Sequence, residues 1–409
     1  MQLTEFDHQS LIERTRRDFA PFYDQLRWIT PEAAEEMTRL RRELLDILSS
    51  NAATAFGNTK PFTGSLSPGC RLCGGEWSCL FINNICNARC FYCPSRQQQV
   101  DEPGTSTLTF VHAKDYVDYL EYFGFKGASI SGGEPFMTFE RTLAFASLIK
   151  KRFGERIYLW LYTNGILAAD DKLRRLRDAG LDEIRFNIGA VGYSLDRVSK
   201  AVGIIPHVTI EVPAVPERVD ELISLLPEMK ERGVDFLNLH QIRCTAFNYP
   251  NLVSRGYTFV HGPATGVAES EIAALTVLAH AAERGIGPAV NYCSLIYRQR
   301  YQARAARHRW AERLKKGHED ITETGMIRSL SCAADPSVLD SLETSFAAEG
   351  AGLYQRKNGR LYFGRALMAP VLAAGASLRV SYYLPSIHPS VTYRNPYQEV
   401  RLNRKKTVV

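Results

Sequence analysis

From about residue 79 onward, short apolar runs alternate with amphipathic stretches. The apolar or alternating runs predict strands at Leu80–Asn84, Gly127–Ser131, Ile157–Tyr162, Glu183–Ile188, Val208–Val212 and Phe236–Gln241. The stretches between them have helical periodicity, as in Ala113–Phe123, Thr138–Phe153, Asp170–Ala179 and Glu217–Arg232. Before this block, residues 1–52 read as helices. Pro31 sits at a first helical position after Thr30, and Leu40, Leu44, Leu45 and Ile47 recur at near-helical spacing. A Gly/Pro/Ser-rich connector from Gly57 to Gly75 follows. After the block come a helix at Ala268–Arg284, a strand at Pro288–Cys293 and a basic helix over Ile296–Lys316. Leu353–Phe363 carries Asn358-Gly359 between alternating segments, a hairpin signal, and Leu378–Tyr383 is a candidate third strand for it. Arg401–Val409 reads as a basic tail.

Six strand–helix repeats imply a parallel sheet with right-handed crossovers. Their length, about 170 residues, suits a partial (β/α)6 barrel of the TIM type, an α/β fold whose chemistry gathers at the carboxyl ends of the strands. The expected organisation is a helical N-terminal extension (1–60), a cysteine-rich loop (61–79), the barrel core (80–245) and a small α+β C-terminal extension (246–409).

Composition narrows the class without naming a function. At 45% hydrophobic and 23% charged residues, the 409-residue chain reads as an ordinary globular protein. No apolar run is long enough for a membrane span. The first 30 residues lack the apolar core of a secretory signal, so a cytoplasmic location is the default expectation. A net charge of +6 is compatible with an anionic substrate or an acidic redox partner and does not by itself indicate nucleic acid.

The cysteines change the picture. Six of the nine fall between Cys70 and Cys93, and the rest (Cys244, Cys293, Cys332) are scattered. An odd count without an export signal argues against a disulfide framework and for metal or redox chemistry. Cys86-Asn-Ala-Arg-Cys90-Phe-Tyr-Cys93 follows the first predicted strand with C-x3-C-x2-C spacing. Three thiolates on one short loop can hold three irons of a [4Fe–4S] cluster and leave the fourth open. Gly132-Gly133-Glu134-Pro135 ends the second strand, with 38 residues between it and Cys93. A zinc ribbon is the competing reading, because 16 residues separate Cys70-x2-Cys73 from Cys90-x2-Cys93. It leaves Cys79, Cys86 and the glycine motif unexplained.

The cysteine triad and the glycine motif resemble the radical S-adenosylmethionine (SAM) superfamily over roughly residues 79–245. The resemblance implies an oxygen-sensitive enzyme with SAM chelating the open iron of the cluster at Cys86, Cys90 and Cys93. One electron, from a donor such as flavodoxin or ferredoxin, would cleave the sulfonium to a 5′-deoxyadenosyl radical that abstracts a substrate hydrogen. By the same analogy Gly132, Gly133, Glu134 and Pro135 would hold the SAM amino group. Tyr92, Thr163, Asn164, Arg185, Asn187, His240 and Gln241 would supply further SAM contacts. No residue is assigned a catalytic role.

Cys70, Cys73 and Cys79 form a second group, spaced C-x2-C-x5-C between Gly/Pro-rich turns, and are expected to hold a second iron–sulfur cluster or another metal. They broadly resemble the upstream cysteines of lipoyl synthase but depart from its C-x4-C-x5-C spacing, so sulfur insertion is not implied. Cys293 is the preferred fourth ligand, with Cys244 as the other candidate, and Cys332 is left as structural. The expected substrate is a small molecule or peptide. RNA is a second reading, motivated by Arg298, Arg300, Arg304, Arg307, Arg309, Arg313, Lys315 and Lys316 on the basic helix. Tyr92, Tyr162, Tyr249, Tyr292 and Tyr297 are candidates for lining the cavity.

Overall fold

A computed structural model describes residues 8–57, 59–105, 108–350 and 352–385, and the backbone of a strand at Asn403–Lys405. The chain divides into two compact units. One comprises Met1–Thr105, Phe110–Val117 and Phe125–Tyr301; the other comprises Ser106–Thr109, Asp118–Gly124 and Gln302–Val409.

The first unit begins with helices α1 (His8–Asp18) and α2 (Pro31–Ser50). Thr30 caps α2 by accepting from the Ala33 N–H at 3.2 Å, and Pro31 takes the first helical position. A hairpin of β1 (Thr54–Gly57) and β2 (Lys60–Thr63) comes next, where the sequence predicts helix and connector. Each strand has only four residues and β2 contains a proline, so neither carries a readable strand signal. Short helix α3 (Pro68–Leu72) bears Cys70.

Seven strands then run parallel, each paired to the next. They are β3 (Trp77–Phe81), β4 (Gly127–Ser131), β5 (Tyr158–Thr163), β6 (Glu183–Phe186), β7 (His207–Pro213), β8 (Phe236–His240) and β9 (Ala289–Cys293). Helices α4 (Phe139–Phe153), α5 (Asp170–Asp178), α6 (Val219–Glu231) and α7 (Ala268–Arg284) fall close to their predicted bounds. The parallel run therefore exceeds the predicted six strands by one. Strand β9 pairs with β8, and β2 adds antiparallel to β9. Because α7 and β9 complete this sheet, the compact units divide at 301/302 rather than at 245/246. Cys79 lies within β3 rather than in a loop.

The outward residues of these strands are apolar and buried, among them Leu159, Leu161, Ile184, Ile210, Leu237 and Val290. The other face is polar, and its members pair sideways. Thr209 donates to Glu183 at 2.7 Å, and Arg185 bridges Glu183 (2.8 Å) and Glu211 (2.7 Å). Asn238 donates to Glu211 at 3.1 Å and meets Asn291 on β9. Arg185 is 2% exposed and Glu183 fully buried, so each needs the other.

The second unit is an antiparallel sheet in the order β12 (Tyr354–Lys357), β13 (Arg360–Phe363), β11 (Ile327–Ala333), β14 (Ser377–Leu384), with β10 (Glu319–Ile321) also on β11. Helix α8 (Arg304–Leu314) precedes it. Helix α9 (Pro336–Ala347) supplies Leu339, Leu342 and Phe346 to the core with Leu330, Cys332 and Phe363. The hairpin forms as predicted, Lys357 pairing with Arg360 across Asn358 (φ 52°) and Gly359 (φ 69°). Strand β14 does not extend it directly, because β11 lies between them. The tail 401–409 falls outside the described residues except for Asn403–Lys405, which pairs with β14.

Replacing Arg185 with methionine strands the buried carboxylate of Glu183 and the half-buried one of Glu211. Arg185→Met should cost about 3–5 kcal/mol in urea unfolding, and Arg185→Lys should recover part of it. Wild-type stability in Arg185→Met would contradict this account of the interior.

Candidate functional site

Beyond the carboxyl end of β3 the chain leaves the sheet and returns, Asn84–Ile85 pairing antiparallel with Gln98–Gln99. The excursion this closes carries Cys86, Cys90 and Cys93, all free and half-buried. Little regular structure supports it, so its position depends on outside ties.

The glycine motif supplies those on one side. The Gly133 N–H donates to the Asn83 side-chain oxygen (3.1 Å), and the Glu134 N–H to the Ile85 carbonyl (2.7 Å). Asn83 returns its amide to the Glu134 carbonyl (3.0 Å) and to Thr138 (2.7 Å). Gln97 donates to the Gly132 carbonyl at 2.9 Å. A Cβ on Gly133 would stand 2.0 Å from the Ile85 carbonyl oxygen, and one on Gly132 2.6 Å from that of Asn83. Gly132 also has φ +127°. These glycines therefore let the cysteine excursion pack backbone to backbone on the end of β4.

Glu134, 1% exposed, ties the next strand in. Its carboxylate accepts from the Phe136 N–H, the Thr163 hydroxyl (2.8 Å) and the Asn164 N–H (2.7 Å). Burial nevertheless pushes its carboxyl above the ordinary range. Asn164 turns its amide to Asn87 (2.7 Å) and towards the Cys86 sulfur (3.7 Å). On the far side, fully buried Asn248 donates to the Tyr92 carbonyl (3.0 Å), Thr245 to the Pro94 carbonyl (2.8 Å) and Asn251 to the Phe91 carbonyl (3.4 Å). The sequence reading missed Asn83 and this second group, because neutral side chains bonding backbone carbonyls leave no spacing signature.

The clamped loop borders a cavity of about 320 Å³. Its wall includes Cys90, Cys93, Tyr92, Gly132, Gly133, Glu134, Thr163, Asn164, Arg185, Asn187, His240 and Gln241. Eleven cofactor residues are expected from sequence; ten line it and Pro135 does not. Several are already engaged. Arg185 is held by carboxylates, and Gln241 uses both ends of its amide on the Val267 carbonyl and the Leu295 N–H. Tyr92 donates to Asn187 at 3.0 Å. His240 is pushed down to about 3 by burial and by Arg298, against the pull of Glu211, so its imidazole is neutral. Arg298 and Arg243 also line the cavity, though sequence had marked Arg298 only as part of a basic helix. A π-helical turn at Arg298–Ala303 separates it from α8, so the predicted basic helix is not one continuous α-helix. Within the second unit, Arg309 donates to the Phe123 carbonyl at 2.7 Å and Arg307 to that of Thr324 at 2.8 Å.

The tyrosines separate likewise. Tyr92 and Tyr162 line the cavity, whereas Tyr249 stacks on Phe22 at 4.0 Å and Tyr297 lies beneath Lys60. Cys244, the other candidate fourth ligand, packs among Phe19, Leu26 and Phe259, and burial pushes its thiol up to about 12.

Residues 80–204 match the radical SAM superfamily. The chain carries a radical SAM domain. Over 276 residues it is 29% identical to the Methanocaldococcus jannaschii protein named "Putative glycyl-radical enzyme activating enzyme MJ0021", covering 64% of this chain and 72% of that one. It is 28% identical over 162 residues to that organism's "Probable GTP 3',8-cyclase", covering 37% of this chain and only 52% of the relative. Among solved structures, methylornithine synthase aligns with a TM-score of 0.35 and 15% identity, over 58% of this chain and 68% of that chain. Among the described residues no helix is long and apolar enough to cross a membrane.

A radical SAM domain implies a [4Fe–4S] cluster and SAM, and the residues present fit them. Three unpaired thiols share one loop, that loop opens on a cavity, and backbone ties hold it there. Three thiolates on one C-x3-C-x2-C loop are the set that holds three irons of a [4Fe–4S] cluster and leaves the fourth open. Burial raises the Cys86 and Cys90 thiols above their ordinary range, so loading the site must displace protons.

Gly133→Ala should cost at least about 1–3 kcal/mol, since the atom it meets is backbone and cannot rotate away. Iron retained after anaerobic reconstitution should fall with it. Normal stability and iron content in Gly133→Ala would show that the glycine contact does not seat the loop.

Proposed function

We propose that this chain is an enzyme that reductively cleaves SAM and uses the resulting radical to take a hydrogen atom from its substrate. The observation that carries the reading is the clamped cysteine loop, whose Cys90 and Cys93 line a cavity floored by the polar end of a parallel sheet. Cys86, Cys90 and Cys93 would hold the cluster. Bound there, the cluster and SAM supply one-electron cleavage of the sulfonium to a 5′-deoxyadenosyl radical.

The protein's own part is positioning. The Gly132–Glu134 segment and Asn164 fix the triad relative to the cavity. Thr163, Asn187 and Tyr92 form a hydrogen-bonded rim beside it. His240 presents a neutral imidazole, so it adds no charge of its own to that wall. Arg298 and Arg243 add positive charge, which favours a substrate or SAM carboxylate. The name of the archaeal activating-enzyme relative adds support for a protein or peptide substrate. The radical SAM match and the engaged arginines of the former basic helix favour neither RNA modification nor a zinc-ribbon binding module. Flavodoxin or ferredoxin would be a suitable electron donor.

Anaerobic reconstitution followed by SAM and dithionite tests this reading. The wild-type chain should release 5′-deoxyadenosine. Cys86→Ala, Cys90→Ala and Cys93→Ala should each lower the rate at least about 100-fold, because removing one thiolate leaves an iron without its ligand. Undiminished release from the combined triple variant would refute the assignment.

A further inference from the structure

Cys70 and Cys73 stand three residues apart along α3 and its C-terminal end, which places them on one face. They are 5% and 6% exposed. Ser67 fixes the helix start by accepting from the Cys70 N–H at 3.1 Å. The Cys70 sulfur lies 4.0 Å from the Asn291 amide, on β9, whose last residue is Cys293. On the antiparallel neighbour β2, Phe62 faces Asn291, and two residues along that register Lys60 comes level with Cys293. The fold thus gathers three cysteines from distant parts of the chain around one lysine.

That lysine is unusual. Lys60 is 2% exposed, and its ammonium sits 4.4 Å over the Tyr297 ring. Among the described residues no carboxylate pairs with it, and the groups facing it that can carry negative charge are led by Cys293, Cys70 and Cys73. A buried ammonium without an anion is costly, so negative charge belongs in this pocket. A second cation, Arg298, hydrogen-bonds Cys293. Cys244, by contrast, sits in an apolar cluster, as unligated buried cysteines do. Cys79, on β3, faces Ser129, Glu211 and Arg185, whereas Cys293, Cys70 and Cys73 lead the groups facing Lys60.

We propose that Cys70, Cys73 and Cys293 ligate a second iron–sulfur cluster, with Lys60 as its buried counter-cation. Thiolate-ligated clusters are anionic, which matches the charge the pocket lacks. Relative to the sequence expectation, Cys293 joins Cys70 and Cys73 as a primary ligand, and Cys79 drops out. The centre stands one side chain behind the cavity wall. Tyr162, Arg185 and Arg298 each line the cavity and also face Cys73, Cys70 and Cys293 respectively.

The proposal does not depend on the radical SAM reading, and iron counting separates the two. The full-length chain and its Cys86→Ala/Cys90→Ala/Cys93→Ala variant are reconstituted anaerobically with iron and sulfide. Expected contents are about eight irons in the wild type and about four, with matching sulfide, in the variant. Adding Cys293→Ser to that variant should remove the remaining iron. Lys60→Met in the same background should lower the cluster's midpoint potential, since losing an adjacent positive charge disfavours the reduced state. A folded triad variant holding no iron, or a single zinc, overturns the proposal. So does iron content unmoved by Cys293→Ser. About four irons in both wild type and triad variant would instead remove the triad cluster and leave this one standing.

Discussion

The cysteine loop has almost no hydrogen-bond ladder of its own, so the site depends on what holds its backbone. A loop of this kind pays full conformational entropy unless neighbours restrain it. Two sets of ties do so here. Gly132, Gly133 and Glu134 fasten its entry through Asn83 and Ile85. Asn248, Thr245 and Asn251 fasten its middle and exit through main-chain carbonyls. Because the ties run to the carboxyl ends of β4 and β8, the geometry of the sulfurs follows from the geometry of the sheet.

This shifts the meaning of the glycine motif. The family resemblance suggests glycines that make room for a ligand. The closest atoms to their missing side chains belong to Asn83 and Ile85, so their first task is to make room for the loop. Glu134 then links that loop to β5: its backbone N–H reaches Ile85, and its buried carboxylate accepts from Thr163 and Asn164.

The sheet interior sets the electrostatics. Glu183, Arg185, Glu211, Asn238 and Asn291 form a continuous polar row across β6–β9. Burial works against charge on Glu211, yet Arg185 holds its carboxyl below the usual range. Arg185 is therefore a fixed structural charge first and a ligand contact only secondarily. A preorganised polar floor of this kind needs little rearrangement when a charged cofactor enters.

Much of this was legible in the sequence, and the failures have physical causes. Helix Ala268–Arg284 and the Asn358-Gly359 hairpin carry strong local signals, and both stand as read. The triad and glycine motif announce themselves by residue type and spacing. The β1–β2 hairpin was lost because two four-residue strands, one with a proline, have no period to detect. Strand β11 was missed because Ile327-Arg-Ser-Leu-Ser-Cys-Ala mixes small polar residues into its alternation. Lys60 was invisible for another reason: nothing local distinguishes a lysine that β2 carries into the interior.

The central claim is that Cys86, Cys90 and Cys93 would hold a cluster able to bind SAM. Electron paramagnetic resonance of the reduced, reconstituted chain tests it most directly, with SAM as the titrant. The account predicts a [4Fe–4S]⁺ signal that changes shape as SAM binds and is missing from Cys86→Ala/Cys90→Ala/Cys93→Ala. A triad-dependent signal that SAM leaves untouched would contradict it.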